Sequence, residues 1–191
     1  MVFGDMEDSY NYLPRWLQAL QESLPGTIVE YVTQPVVVNG VADNSWHILE
    51  RVFWAFKPCI DGFNYYKPII QVDGTFLTGK YHGTLLTTIS QYGNQNIFLL
   101  AFVIVEGEIK KAMIWFFQLL RANVTPQPNV CLITGRGSAI LSALQSPDVC
   151  WEAHGLQSMF CIQQHSASNF NKKFKNAELK RQLINMGMYI P

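Results

Sequence analysis

The chain has 191 residues, 49% of them hydrophobic and 15% charged, and its 14 basic and 14 acidic side chains cancel to a formal net charge of zero. That length suits one domain, or one domain with a small extension, and that composition supports a packed core and excludes global disorder. It also excludes a uniformly basic nucleic-acid binder, and no apolar run reaches the ~18–20 residues of a membrane span. Met1 to Asp5 lack the basic-then-apolar pattern of a secretory leader, so Cys59, Cys131, Cys150 and Cys161 read as reduced thiols.

The charge is unevenly placed. Residues 1–56 hold the acids Asp5, Glu7, Asp8, Glu22, Glu30, Asp43 and Glu50 against only Arg15 and Arg51. The remainder is net basic, and Lys172, Lys173, Lys175, Lys180 and Arg181 crowd together near the end. That group reads either as one solvated helix face or as a set of phosphate contacts.

In chain order, residues 1–12 read as acidic and poorly ordered. Tyr12 to Ser23 has Leu13, Trp16, Leu17 and Leu20 near helical spacing, with Pro14 in the first turn and Pro25-Gly26 as the stop. Thr27 to Thr33 alternates and is β-branched, so it predicts a strand. Pro35 and Asn39-Gly40 punctuate Val36-Val37-Val38, where a hairpin fits. Ile48 to Phe56 reads as a strand or a helix start, and Cys59 to Phe63 as a short helix. A boundary falls near residue 60, giving a 1–60 accessory segment and a 61–191 main domain.

From Lys67 the pattern becomes mixed α/β. Strands are predicted over Lys67–Val72, Thr84–Ser90 and Ile97–Val105, and short Gly- and Asn-containing connections favour an antiparallel meander. A helix follows over Glu108–Arg121, with Ile109, Ala112, Met113, Phe116, Phe117 and Leu120 on its apolar side. Then come a strand over Val130–Thr134, a helix over Ser138–Leu144, a strand over Gln157–Ile162 and a helix over Ser168–Met186. Trp46, Trp54, Trp115 and Trp151 read as core residues rather than base-stacking platforms.

The stretch Pro68 to Gly83 carries the chemistry. Ile69, Ile70 and Val72 suit a covered strand, and Asp73 is expected at its exit, where ligands collect in open α/β sheets. The local alternative is that Asp73-Gly74 simply begins a turn. Glu106 and Glu108 read as charges near a helix N-terminus, with Glu106 the alternative acid for the site. His82 reads as a surface loop histidine. Cys161 and His165 are four apart, as are Cys150 and His154, a spacing that allows zinc in principle but reads more simply as buried thiols and ordinary histidines. Gly135-Arg136-Gly137-Ser138 is too short for a phosphate-cradling loop.

Asp73-Gly74-Thr75, Gly79-Lys80-Tyr81 and Gly83-Thr84-Leu85-Leu86 together resemble the first catalytic block of plant Mutator-like element (MULE) transposases. Ala101 to Glu106 leading to Trp115-Phe116-Phe117, then Leu132-Ile133-Thr134-Gly135-Arg136, and Phe160-Cys161-Ile162 with His165 and Ala167-Ser168-Asn169-Phe170, resemble later blocks in the same order. The resemblance implies an RNase H-like fold: an α/β (α+β) mixed sheet of three antiparallel strands followed by alternating helices and strands, with a small N-terminal α/β extension and an incomplete C-terminus. It implies DNA transposition in the nucleus: transposon-end DNA as partner, Mg²⁺ or Mn²⁺ as cofactor, cutting and joining by a DDE triad, and a homo-oligomer left open. No membrane partner is implied.

Carried over residue by residue, Asp73 is the first acid and metal ligand. The second Asp is expected directly before Arg136, where this chain has Gly135, and glycine supplies no side-chain oxygen. The third acid is expected beyond the Cys/His block, and Glu178 does not match it, so the chain is expected to stop short of that acid. Cys161 and His165 are the favoured pair if zinc binds, and Lys172, Lys173, Lys175 and Arg136 are the candidate DNA contacts. The expectation is a domain whose ancestral chemistry is defective here. The rivals are a non-catalytic DNA-binding or regulatory protein derived from a transposase, and a decayed transposon fragment with no selected role.

Overall fold

The computed structural model describes residues 6–78, 82–91, 97–128, 130–135, 137–149 and 151. In chain order the elements are α1 (Met6–Ser23), β1 (Ile28–Val38), β2 (Val41–Ala55), α2 (Lys57–Phe63), β3 (Ile69–Leu77), β4 (Gly83–Gln91), β5 (Ile97–Val105), α3 (Lys110–Asn123), β6 (Cys131–Thr134) and α4 (Ser138–Leu144), followed by a 3-10 turn at Pro147–Val149. The strands form one mixed sheet in the order β1-β2-β5-β4-β3-β6. All neighbours are antiparallel except β3 and β6, which run parallel. The predicted meander and the helix–strand–helix order after it are therefore present. The strand predicted at Gln157–Ile162 and the helix at Ser168–Met186 lie outside the described residues.

The N-terminal segment departs most from expectation. Helix α1 begins at Met6 and runs through Pro14. Proline removes one backbone donor there, yet the helix continues because its inner face is held by packing: Leu17 is fully buried against Val52 and Trp54, with Leu13 and Leu20 beside it. Trp16 is half exposed and meets Trp54 edge-on, with ring centroids 6.4 Å apart. Nor does Pro35 break the next strand. β1 lies at the edge of the sheet and shifts register beside Pro35, so the missing N–H is tolerated. Asn39 (φ 53°) and Gly40 (φ 81°) both take left-handed conformations, the turn that a two-residue hairpin requires. Ile48 to Ala55 is strand, and Val52, Phe53 and Trp54 pair with Ile104, Val103 and Phe102 of β5. The accessory segment thus extends the main sheet.

Alternation along the strands builds a different layer on each face. Ile70, Val72, Leu86, Val103 and Phe53 point one way, against Ala112, Met113, Phe116, Phe117 and Leu120 of α3. Those α3 residues are the predicted apolar side, except that Ile109 precedes the helix and is exposed. The opposite face carries Val52, Trp54, Phe102, Ile104 and Leu85 under α1, with Trp54 and Phe102 stacked at 5.2 Å. Trp54 and Trp151 are buried as expected, and Trp115 is half-buried. No described helix is long and apolar enough to cross a membrane.

One ion pair joins the extension to the main sheet. Arg51 on β2 is 2% exposed. Its Nε donates to Glu106 Oε2 at 2.8 Å, its second terminal nitrogen also reaches Glu106, and a weaker contact goes to Glu50 Oε1 at 3.3 Å. The guanidinium lies 5.9 Å from the Trp115 ring centroid. Burial pushes the Glu106 carboxyl up, but the Arg51 hydrogen bonds, a backbone bond and the charges of Arg51 and Lys111 outweigh it and leave the group below its usual range. A lowered carboxyl value means that the pair stabilises the fold above the ordinary carboxylate pKa of about 4.3, and that this contribution is lost as the pH falls through the folded value.

Removing one partner strands a buried charge, whereas replacing both does not. We expect Glu106→Gln to lower unfolding free energy by about 3 kcal/mol and Arg51→Met with Glu106→Leu to lie within about 1 kcal/mol of the unaltered chain. Urea unfolding at pH 7 checks both. Equal losses in the single and double variants would show that the pair carries no such role.

Candidate functional site

Asp73 is not at a strand exit. It is the central residue of β3, and the Asp73-Gly74 pair forms no turn, because Asp73 faces Thr87 and Gly74 faces Leu86 across the β4 ladder. The expectation was nevertheless close in three dimensions. The parallel register between β3 and β6 ends at Val72–Thr134. Asp73 is therefore the first β3 residue beyond the end of β6, and Gly135 is the first residue after β6. The sheet itself brings together Asp73 and Gly135, the two residues that the resemblance aligns with the first and second acids.

Cross-strand pairing decides which way Asp73 faces. Asp73, Thr87, Phe102 and Trp54 form one row across β3, β4, β5 and β2. Phe102 and Trp54 are covered by α1, but Asp73 at the far end of the row is exposed. Its Oδ1 accepts a hydrogen bond from Gly74 N at 3.0 Å. On the other face, a Cβ on Gly74 would lie 2.9 Å from Leu86 Cδ2 and 3.1 Å from Glu108 Oε1. A Cβ on Gly137 would lie 3.2 Å from Glu108 Oε2. The Glu108 carboxylate is thus wedged between two glycines, one on β3 and one at the entrance to α4.

The two glutamates go to different partners: Glu106 is engaged by Arg51, Glu108 lies against Gly74 and Gly137, which are far apart in the sequence, and neither residue lies in the first turn of α3.

The other candidates separate. Asp148 sits in the 3-10 turn, where it accepts from Ser146 Oγ at 3.1 Å and its carbonyl accepts from Gln118 Nε2. His82 is exposed just before β4, as a loop histidine should be. Burial pushes the free Cys59 thiol up, which suits an unreactive half-buried residue. Arg136, Cys150, His154, Cys161, His165, Lys172, Lys173 and Lys175 lie outside the described residues. Among the described residues no three His, Cys, Asp or Glu side chains come together.

A family model described as the MULE transposase domain matches residues 69–165, which begin at the first residue of β3 and run past α4. The chain belongs to this family. The matched region of this MULE transposase domain holds Asp73, Glu108 and Gly135, and leaves α1 and the β1–β2 hairpin outside the match. No curated protein and no solved structure matches the chain.

The two site glycines respond oppositely to substitution. A Cβ at Gly135 meets nothing within 4 Å, and its backbone is not left-handed. Gly135→Asp is expected to change stability by less than about 0.5 kcal/mol. Gly74→Ala must displace Leu86 or Glu108 and is expected to cost about 1–3 kcal/mol. Denaturant midpoints of the two variants check the contrast.

Proposed function

We propose that this MULE transposase domain descends from an enzyme that cut and joined DNA with divalent metal ions, and that the chain binds DNA without joining strands. Gly135 carries this reading. Two-metal phosphoryl transfer needs converging carboxylates to clamp both the attacking and the leaving oxygen. Position 135 offers only a backbone carbonyl, one residue beyond the strand that ends beside Asp73.

Asp73 supplies a hard, exposed oxygen donor of the kind that Mg²⁺ or Mn²⁺ prefers. A cation held there would neutralise phosphate charge. Without the second Asp the scissile phosphate is held less firmly in line, and misplacement by about 1 Å can cost about 10²-fold in rate. The DNA partner of this reading is a transposon end, contacted by Lys172, Lys173, Lys175 and Arg136, and its place of action is the nucleus. What supports DNA as the partner is the family membership together with the excess of basic residues after residue 56.

Two measurements test this. Incubated with pre-cut terminal DNA and Mn²⁺, the chain is expected to give no joined product; robust joining that disappears in Asp73→Asn would overturn the reading. In a binding titration, DNA affinity is expected to fall steeply with salt, and neutralising Lys172, Lys173 and Lys175 together should flatten the slope by about three contacts. Salt-independent affinity, or no affinity at low salt, counts against DNA as the partner.

A further inference from the structure

The β1–β2 ribbon is longer than the sheet that carries it. β2 pairs with β5 only over Val52–Trp54, and β5 ends at Val105. β1 and β2 nevertheless stay paired as far as their turn, down to Val38–Val41. The stretch from Val32 to Val38 therefore reaches about 20 Å past the last pairing with β5. It is an arm of two strands, and such a ribbon alone is marginally stable in water. We infer that this arm docks a second copy of the chain, its apolar face and Asp43 meeting Ile109, Lys110 and Lys111 at the start of α3 in that copy.

Register and alternation define the apolar face. Gln34, Val36 and Val38 alternate along β1, and they pair with Ile48, Asp43 and Val41 of β2. Ile28, on the same face of β1, packs with the α3 layer, whereas Val29 and Leu49 on the other face pack under α1. Helix α1 thus covers the base of one face, and no described element covers the other. There Val38, Val41 and Ile48 are 52%, 71% and 59% exposed. Paired across the strands they form one patch rather than scattered residues, and such patches mark interaction surfaces.

Charge selects the occupant. Residues 28–50 hold Glu30, Asp43 and Glu50 and no lysine or arginine, so the arm repels phosphate and suits a basic protein surface. Glu50 is turned to Arg51. Asp43 is presented: Ser45 donates to its Oδ1 from Oγ and, at 2.9 Å, from N, and these bonds hold its carboxyl below the usual range. The matching surface is on the same chain. Ile109 is 47% exposed, and Lys110 and Lys111 beside it are exposed and in no ion pair among the described residues. One chain therefore carries both halves of the contact, apolar with acid and apolar with base. Two copies close it twice about a two-fold axis, and each arm gains the packing that it lacks in a single chain.

The contact does not depend on the proposed function, and its main test contains no DNA. Sedimentation velocity of the full chain is expected to show a reversible monomer–dimer equilibrium between about 1 and 100 µM, the range of a small interface. Val41→Lys, Asp43→Lys and Lys110→Asp should each weaken the dimer about tenfold. Asp43→Lys combined with Lys110→Asp should restore most of the loss, and Lys67→Asp, at the other end of the sheet, should change nothing. A chain that stays monomeric at about 100 µM overturns the inference. So does a dimer that resists Val41→Lys or Lys110→Asp, an absent rescue in the double variant, or an equal loss in Lys67→Asp. Should the arm variants fail to fold, Lys110→Asp and Lys111→Asp decide, and an unchanged dimer in both overturns it. In a separate DNA titration, a monomer whose affinity falls in Val41→Lys would make the arm a nucleic-acid contact and overturns it as well.

Discussion

The structure depends on where one parallel strand pair ends. β6 is only four residues long, and its register with β3 stops at Val72–Thr134. β3 itself runs on to Leu77, carried by antiparallel pairing with β4. The difference in length leaves a notch beside Asp73. In an open sheet such a notch is where backbone groups and side chains can converge on a ligand without competing with the ladder. Asp73, Gly135, Gly137 and Thr134 all owe their positions to that early stop.

The two faces of the sheet give the notch unlike surroundings. The face under α3 is dense, with Phe116, Phe117, Met113 and Leu120 fully buried, and Glu108 lies on this side against Gly74 of β3. The face under α1 is closed over β2, β5 and Leu85 of β4, whereas Asp73 on β3 is exposed at the end of its row. Arg51 holds the arrangement together at the far side: by engaging Glu106 it fixes the end of β5, two residues before Glu108. A buried arginine of this kind adds little net stability compared with an apolar replacement, but it punishes misregistration, because any slip of β2 against β5 strands the charge.

Much of the architecture was legible from local pattern. The apolar side of α3 follows from helical spacing, the β3–β4–β5 meander from β-branched runs and short connections, and the β1–β2 turn from Asn39-Gly40. The errors share a cause. Pro14, Pro35 and Asp73-Gly74 are locally disruptive or turn-like, and each lies inside an element because tertiary partners outweigh the local preference. Leu17 packs α1 onto the sheet, the edge position of β1 spares Pro35, and Thr87 and Leu86 pair with Asp73 and Gly74. Arg51 and Glu106 gave no local sign of being partners, since 55 residues separate them.

By itself the sequence determined the family, through blocks of residues in a shared order, and it put at position 135 a residue with no side-chain oxygen to offer wherever it lies. Only the tertiary structure decided which acid lies against the glycines of β3 and α4. Glu106 and Glu108 are two residues apart and chemically alike, so no local rule separates them. Residues two apart on an extended chain point the same way, but the chain bends as it leaves β5 and enters α3, and that bend sends Glu106 to Arg51 and Glu108 to the glycines of β3 and α4.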